Sequence, residues 1–212
     1  MNKLATQFLS ATVALVALGL VGCDSNGSSD DNGGEQPIAE RVSNFPADPF
    51  VAFVQGRPVG TGKFAFYSLR ENAEVASSDS ATTEWDIALR GTEILINGGT
   101  SGPGQGSAQV VDGVFSELTE APESGWVVDG ASGPAIPESS GAGWYNYNPV
   151  AMVVTPIPGR ILLVRTADGK YAKISIVSYY QDAPASPTSA DEARYYTFDY
   201  VLQPDGSRSF ED

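Results

Sequence analysis

Apolar and polar positions alternate with a period of two along most of the chain, which is the spacing of a strand with one buried face. In KFAFYSL, residues 63–69, Phe64, Phe66 and Ser68 fall on one side and Ala65, Tyr67 and Leu69 on the other. In EWDIAL, Trp85, Ile87 and Leu89 alternate with Asp86 and Ala88. TEILIN, AQVV, GWVV and AMVVTPI are shorter runs rich in β-branched or aromatic residues, each bounded by Gly, Pro, Asn or Asp, and each reads as a strand. RILLVRTADGKYAKISIVSYY predicts an antiparallel hairpin turning at Asp168 and Gly169. ARYYTFDYVLQPDGSRSF predicts a second pair at the chain end, turning at Pro204, Asp205 and Gly206. After residue 23 no helical stripe is sustained for ten residues, and SPTSADEA suits at most a single helical turn. The expected fold is all-β, an antiparallel sandwich or barrel-like domain.

The first residues follow a different pattern. Lys3 is followed by an apolar stretch from Ala11 to Val21 that is short for a membrane span, then by Leu20, Val21, Gly22 and Cys23. This matches a bacterial lipobox, so residues 1–22 are expected to be a lipoprotein signal peptide cleaved before Cys23, with Cys23 carrying lipid. Cys23 is the single cysteine, so the exported domain holds no disulfide and rests on core burial. DSNGSSDDNGGEQP has too little apolar surface to fold, and residues 23–44 are expected to be a flexible acidic tether. Residues 45–212 are then one all-β domain.

Composition narrows the function. The formal net charge is −14, which opposes nucleic acid and anionic lipid as partners. Zero histidine removes the commonest general base and metal ligand. With Cys23 lipidated, Ser–His–Asp and Cys–His nucleophile systems and thiolate zinc sites are excluded, and no lysine stands three residues after a serine as S-x-x-K requires. Acidic residues are plentiful, but nothing marks a catalytic pair. A non-enzymatic protein is expected.

The glycine-rich stretch INGGTSGPGQG, residues 96–106, invites a phosphate-binding reading that its spacing does not support. Gln105 follows Gly104 where a P-loop needs Lys, and Ser107 stands where a dinucleotide fingerprint needs Gly. Between Arg90 and Arg160 there is no Lys or Arg. Asn97, Gly98 and Gly99 instead suit a turn with positive φ, followed by an exposed excursion.

EWDIALRGTEILINGGTSGPGQG, then WYNYNP, then RILLVRTADGKYAKISIVSYY with its closing YYTFDYVLQPDGSR, together resemble the HmuY family over roughly residues 50–210. These are surface lipoproteins whose founding members are haem-binding haemophores, and the family fold is all-β. The resemblance implies a lipid-anchored haem- or porphyrin-binding protein at the outer membrane or cell surface, with an outer-membrane receptor as a candidate partner. The family's founding haem binder holds iron between two histidines, which this chain lacks, while some relatives use methionines. Met152 lies near where the family's second ligand is expected, and Tyr145 or Tyr147 offers a phenolate. Those three are the candidate haem-binding residues.

Each also has a plainer reading. Met152 stands among Val150, Ala151, Val153 and Val154, the setting of a core filler. Trp144, Tyr145, Tyr147, Tyr179, Tyr180, Tyr195 and Tyr196 suit either a pocket for a flat ligand or cross-strand packing. Arg160, Arg165, Lys170 and Lys173 could meet porphyrin carboxylates or pair with the protein's own acids. The alternative function is a non-haem surface interaction or structural lipoprotein that reuses the fold.

Overall fold

The computed structural model describes residues 35–55 and 57–211. The expected signal peptide, the expected lipidation site Cys23 and the expected tether as far as residue 34 lie outside them. The described residues form a compact unit that closes on its own core.

The strands in chain order are β1 (Ile38–Pro46), β2 (Ala52–Val54), β3 (Arg57–Val59), β4 (Ala65–Ser68), β5 (Ala73–Val75), β6 (Ile87–Arg90) and β7 (Glu93–Ile96). They continue with β8 (Ser107–Asp112), β9 (Tyr145–Asn148), β10 (Val153–Pro156), β11 (Arg160–Arg165), β12 (Tyr171–Tyr180) and β13 (Ala193–Gln203). Two antiparallel sheets dominate, one ordered β1-β13-β12-β11-β8 and the other β5-β4-β6-β7, with β2-β3 and β9-β10 as separate hairpins. The all-β expectation is met.

One core joins the two sheets. Ile87, Leu89, Ile94 and Ile96 from the smaller sheet pack with Leu162, Val164, Ile174, Phe198 and Leu202 from the larger. Tyr67 meets Phe198 edge-on at 5.7 Å, and the Tyr200 hydroxyl donates to the Leu69 carbonyl at 2.8 Å across the same seam. The far face of the larger sheet is covered too. Leu163 packs with Ala121 and Phe210 in a second cluster that also takes in Trp126, Tyr171 and Val201. Burial on both faces explains why ILLV is continuously apolar rather than alternating.

The hairpin of β11 and β12 forms where its turn residues predict. Gly169 holds φ +86, its N–H donates to the Thr166 carbonyl at 3.0 Å, and the Thr166 hydroxyl donates to Asp168 at 2.6 Å. Other expectations are corrected. The sheet starts at Ile38, not 45: β1 pairs with β13 from Ile38↔Leu202 to Pro46↔Tyr195, so the last seven residues of the expected tether are strand. The strand was hidden because Glu40 and Arg41 face solvent and only Val42 and Phe45 are buried. Among the described residues no hairpin closes the chain end. The residues after β13 cross over instead, Ser209 bridging Glu120, and Phe210 is buried. GWVV contributes a single bridge, Val127 to Ala108, because its Val127 and Val128 side chains are about half exposed. SPTSADEA forms a turn in which Asp191 accepts both the N–H and the hydroxyl of Thr188.

Candidate functional site

The glycine loop is built around the protein's own backbone. Asn97 is fully buried: its amide donates to the carbonyls of Thr82 and Trp85 at 2.9 and 2.7 Å, and its oxygen accepts the Gly104 N–H at 3.0 Å. The loop therefore folds back over Trp85, while Gly99, Thr100, Pro103 and Gln105 stay exposed as the excursion reading expects. A Cβ at Gly104 would stand 2.8 Å from Ala167, and one at Gly106 would stand 2.6 Å from Ile96, so these positions must be glycine for packing. Of the expected turn residues, Gly99 alone takes positive φ. The folded loop borders an uncharged surface cleft of about 470 Å³, floored by Phe64, Phe66 and Leu95.

The three candidate haem ligands lie on the β9-β10 hairpin, where Tyr145 pairs with Pro156 and Tyr147 with Val154. The structure separates them. Tyr145 is buried, and its hydroxyl donates to the Glu138 carbonyl at 2.8 Å, so its phenol is committed to the fold. Tyr147 is 46% exposed and Met152 61% exposed, with Val150 standing out at the tip between them. The core reading of Met152 is corrected. Asn148 Oδ1 accepts the N–H groups of Val150 and Ala151, closing a turn after which Val153 takes the buried slot and Met152 is turned outward. Met152 does so at φ +56, a left-handed conformation that costs an ordinary residue of order 1 kcal/mol.

The expected aromatic pocket is a packed cluster. Trp144 contacts Tyr145 at 5.0 Å and Tyr196 at 5.2 Å between ring centroids, and Tyr179 contacts Tyr196 at 5.4 Å. The Trp144 indole donates to the Thr92 carbonyl and the Tyr196 hydroxyl to that of Gly91, so their polar tips are satisfied. Burial pushes the Tyr179 and Tyr196 phenols well above their usual range, keeping both neutral. Three of the four hairpin cations are taken by protein groups. Arg160 donates to the carbonyls of Ala142 and Gly143 and pairs with Asp112 at 2.8 Å, while Arg165 reaches the Gly169 carbonyl. Lys173 donates to the carbonyls of Phe115 and Leu118, beneath the rings of Phe115 and Phe210.

Sequence reasoning missed a second cleft, of about 510 Å³, in which Arg90, Thr92, Tyr179 and Arg194 line the walls beside Asp48 and Gly62. Asp48 is buried, accepting the N–H and hydroxyl of Thr61 and the Gly62 N–H, and its other oxygen pairs with Arg194 at 3.2 Å. Asp48 and Arg194 both hold positive φ, +62 and +73. A register irregularity between β12 and β13 at Ser178/Tyr180 lies beside Arg194. Nothing in the local sequence joins these residues, because the sheet brings them together from opposite ends of the chain. Among the described residues no group of three or more acidic, His or Cys side chains is placed to hold a metal ion.

The family model for HmuY protein matches residues 61–200. Similar solved structures include a lipoprotein candidate from Bacteroides fragilis, at 19% identity and TM-score 0.48, with 79% of this chain and 90% of that chain covered. An apo HmuY analog from Tannerella forsythia matches at 16% identity and TM-score 0.46, covering 80% and 98%. An HmuY-like heme binding protein from Bacteroides vulgatus matches at 17% identity and TM-score 0.46, covering 79% and 92%. No curated protein matches the chain.

Proposed function

The chain belongs to the HmuY family, and from that membership we propose that it is an exported, lipid-anchored binder of haem or a related porphyrin, not an enzyme, with axial ligation altered from the bis-histidine kind. The observation that carries the reading is Met152, whose side chain is exposed at the tip of the hairpin that also carries the exposed Tyr147, in a strained turn. Thioether sulfur and phenolate oxygen are both known axial ligands of haem iron. That donor set fits a porphyrin held from one face, with Met152 as ligand and Tyr147 and Val150 as the apolar surface against the ring. A chain with no histidine excludes the two-histidine arrangement.

The test is a haemin titration of the chain from Asp24, which keeps every described residue, followed by absorbance under oxidising and reducing conditions. A saturable Soret shift lost in Met152→Ala and kept in Tyr147→Phe supports Met152 as the ligand. The shift lost only in Tyr147→Phe moves ligation to the phenol. Anchoring is tested separately, by fatty-acid labelling of the full chain in cells and its loss in Cys23→Ser.

The closed packing of Trp144, Tyr145, Tyr179 and Tyr196 favours a second reading, a surface interaction lipoprotein that binds no haem. Absence of any Soret shift at micromolar haemin selects it.

A further inference from the structure

We propose that the cleft bordered by the glycine loop is a binding site for an uncharged sugar ring. It does not rest on the porphyrin reading, because no residue lining the cleft belongs to the β9-β10 hairpin. The floor is the outer face of the smaller sheet. Tyr67 points into the shared core, so by strand alternation Phe66, and Phe64 just before β4, face outward. Phe66 pairs with Ala88 and Ala88 with Leu95, so one row across β4, β6 and β7 runs large, small, large and forms a trough. The Phe66 ring is held edge-on to Trp85 at 5.0 Å, and the Phe64 ring is backed by the Arg90 guanidinium at 4.2 Å. Phe64, Phe66 and Leu95 are all partly exposed.

The walls are polar without being charged. Ser80, Thr100 and Ser101 bring hydroxyls to the cleft, and no charged side chain lines it in a chain with 26 acidic and 12 basic residues. Among the described residues, none of these three hydroxyls has a hydrogen-bond partner within the protein. Their backbones are engaged instead. The Thr100 N–H donates to the Asp129 carbonyl at 2.9 Å, the Ser101 N–H to that of Gly98 at 3.1 Å, and the Ser80 carbonyl accepts the Trp85 indole at 3.0 Å. Asp129 is itself fixed, accepting the N–H groups of Ile96 and Ala135 at 2.9 and 2.7 Å. A Cβ at Gly102 would stand 2.8 Å from the Trp85 ring, so the loop lies as close to its support as glycine permits. The rim is therefore held in place while its side chains stay available, and little ordering entropy is lost when a ligand binds.

That combination selects a chemistry. A sugar ring has a face of C–H groups, which suits the negative face of an aromatic ring, and an edge of hydroxyls. Rim hydroxyls donate and accept, as those of a sugar do. A wholly apolar ligand would bury the three rim hydroxyls without partners, at a cost in affinity. An anion would find no cation among the lining residues and would meet a chain of net charge −14. The volume of about 470 Å³ lies within the range of small-ligand sites.

The test uses the isotope-labelled chain from Asp24. The neutral methyl glycosides of glucose, galactose, mannose and N-acetylglucosamine are compared with glucuronate and cyclohexanol. Indole N–H signals in NMR spectra report the site, since the Trp85 indole bonds to Ser80 on the rim while those of Trp126 and Trp144 bond elsewhere, to Pro122 and Thr92. At least one glycoside is expected to shift the Trp85 signal saturably and leave the other two in place. Thr100→Val and Ser101→Ala, with melting temperatures equal to wild type, should each weaken that binding about three- to ten-fold, the range for one neutral hydrogen bond. Ala81→Tyr, at an exposed position on the rim, should abolish it by filling the cleft. No saturable Trp85 shift from any of the four glycosides overturns the proposal. Glucuronate binding as tightly as the glycosides overturns the assignment of an uncharged ligand. Cyclohexanol binding as tightly as they do, unaffected by Thr100→Val, reduces the cleft to an apolar groove and overturns it too.

Discussion

Asp86 accepts the backbone N–H of Ala167 at 2.9 Å with one oxygen, tying the smaller sheet to the hairpin turn of the larger one. Its other oxygen accepts the Leu69 N–H at 2.8 Å, so a single carboxylate closes two loops from inside the protein. Asn at this position presents an amide N–H₂ to one of those donors, and leaving a buried N–H unpaired costs about 2 kcal/mol. Asp86→Asn is expected to lower stability by about that amount in urea denaturation. Desolvation outweighs the two backbone bonds and holds the Asp86 carboxyl above its ordinary value of 3.8. The folded state therefore binds the proton more tightly than the unfolded state. The stabilisation is complete below the unfolded pKa and is lost as pH rises through the folded one. The advantage of wild type over Asp86→Asn should narrow as pH rises above 3.8 and through the raised folded pKa. An advantage that widens instead means that the backbone hydrogen bonds dominate and the folded pKa is depressed.

Gly104 packs against the turn at Ala167 that Asp86 also holds. A methyl at Gly104 would stand 2.8 Å from both Cα and Cβ of Ala167 and 2.5 Å from the Asn97 carbonyl oxygen, so backbone must shift. Gly104→Ala is expected to cost about 2 kcal/mol by overpacking. Gly62→Ala is the comparison: its surroundings are open, and only φ +76 penalises it, by about 1 kcal/mol. Thermal melts of the two variants check the order. If Gly104→Ala melts with wild type, the glycine loop is looser than its contacts indicate.

The strands that were legible in the sequence share a property. In β11, β12 and β13 long apolar runs are buried and the turn at Asp168 and Gly169 is marked by residue type, so apolar content and turn chemistry agree. In β1, an edge strand, burial rests on Val42 and Phe45 while Glu40 and Arg41 face water, and the pattern reads as tether. Met152 was obscured by a local event, the turn at Asn148, which reverses which residue of Met152 and Val153 faces the core. The Arg90–Arg194 cleft had no sequence signal at all, since it exists only after β13 is laid beside β12 and β1 delivers Asp48 to Arg194.

Met152 and Val153 are neighbours with opposite environments, 61% and 5% exposed. Met152→Ala should therefore leave stability within about 0.5 kcal/mol of wild type, where a core methionine would lose about 2–5 kcal/mol. Met152→Gly should stabilise by up to about 1 kcal/mol, because glycine adopts φ +56 without steric penalty. Val153→Ala should cost more than about 1 kcal/mol. Equilibrium denaturation of the three variants decides the matter, and a large loss in Met152→Ala returns the side chain to the core.

A chain beginning at residue 45 removes most of β1 and leaves the outer edge of β13 unpaired from Leu202 to Phe198. Val42 loses its place in the core, and the pair between Arg41 and Asp199, at 2.6 Å, is lost with it. The ion pair is exposed and adds little. Lost apolar burial and edge hydrogen bonds amount to about 3 kcal/mol. For a domain of this size that lowers the melting temperature by roughly 6–12 °C. The uncovered strand should also pair with other chains, since an open edge of unpaired N–H and C=O groups is a template for association. A chain beginning at residue 36 keeps β1 and should melt with the longer protein and stay monodisperse. Light scattering and thermal melts of the two truncations distinguish the cases. Equal melting and equal dispersity would mean that β1 is an appendage on the sheet, and that the fold closes at β13 without it.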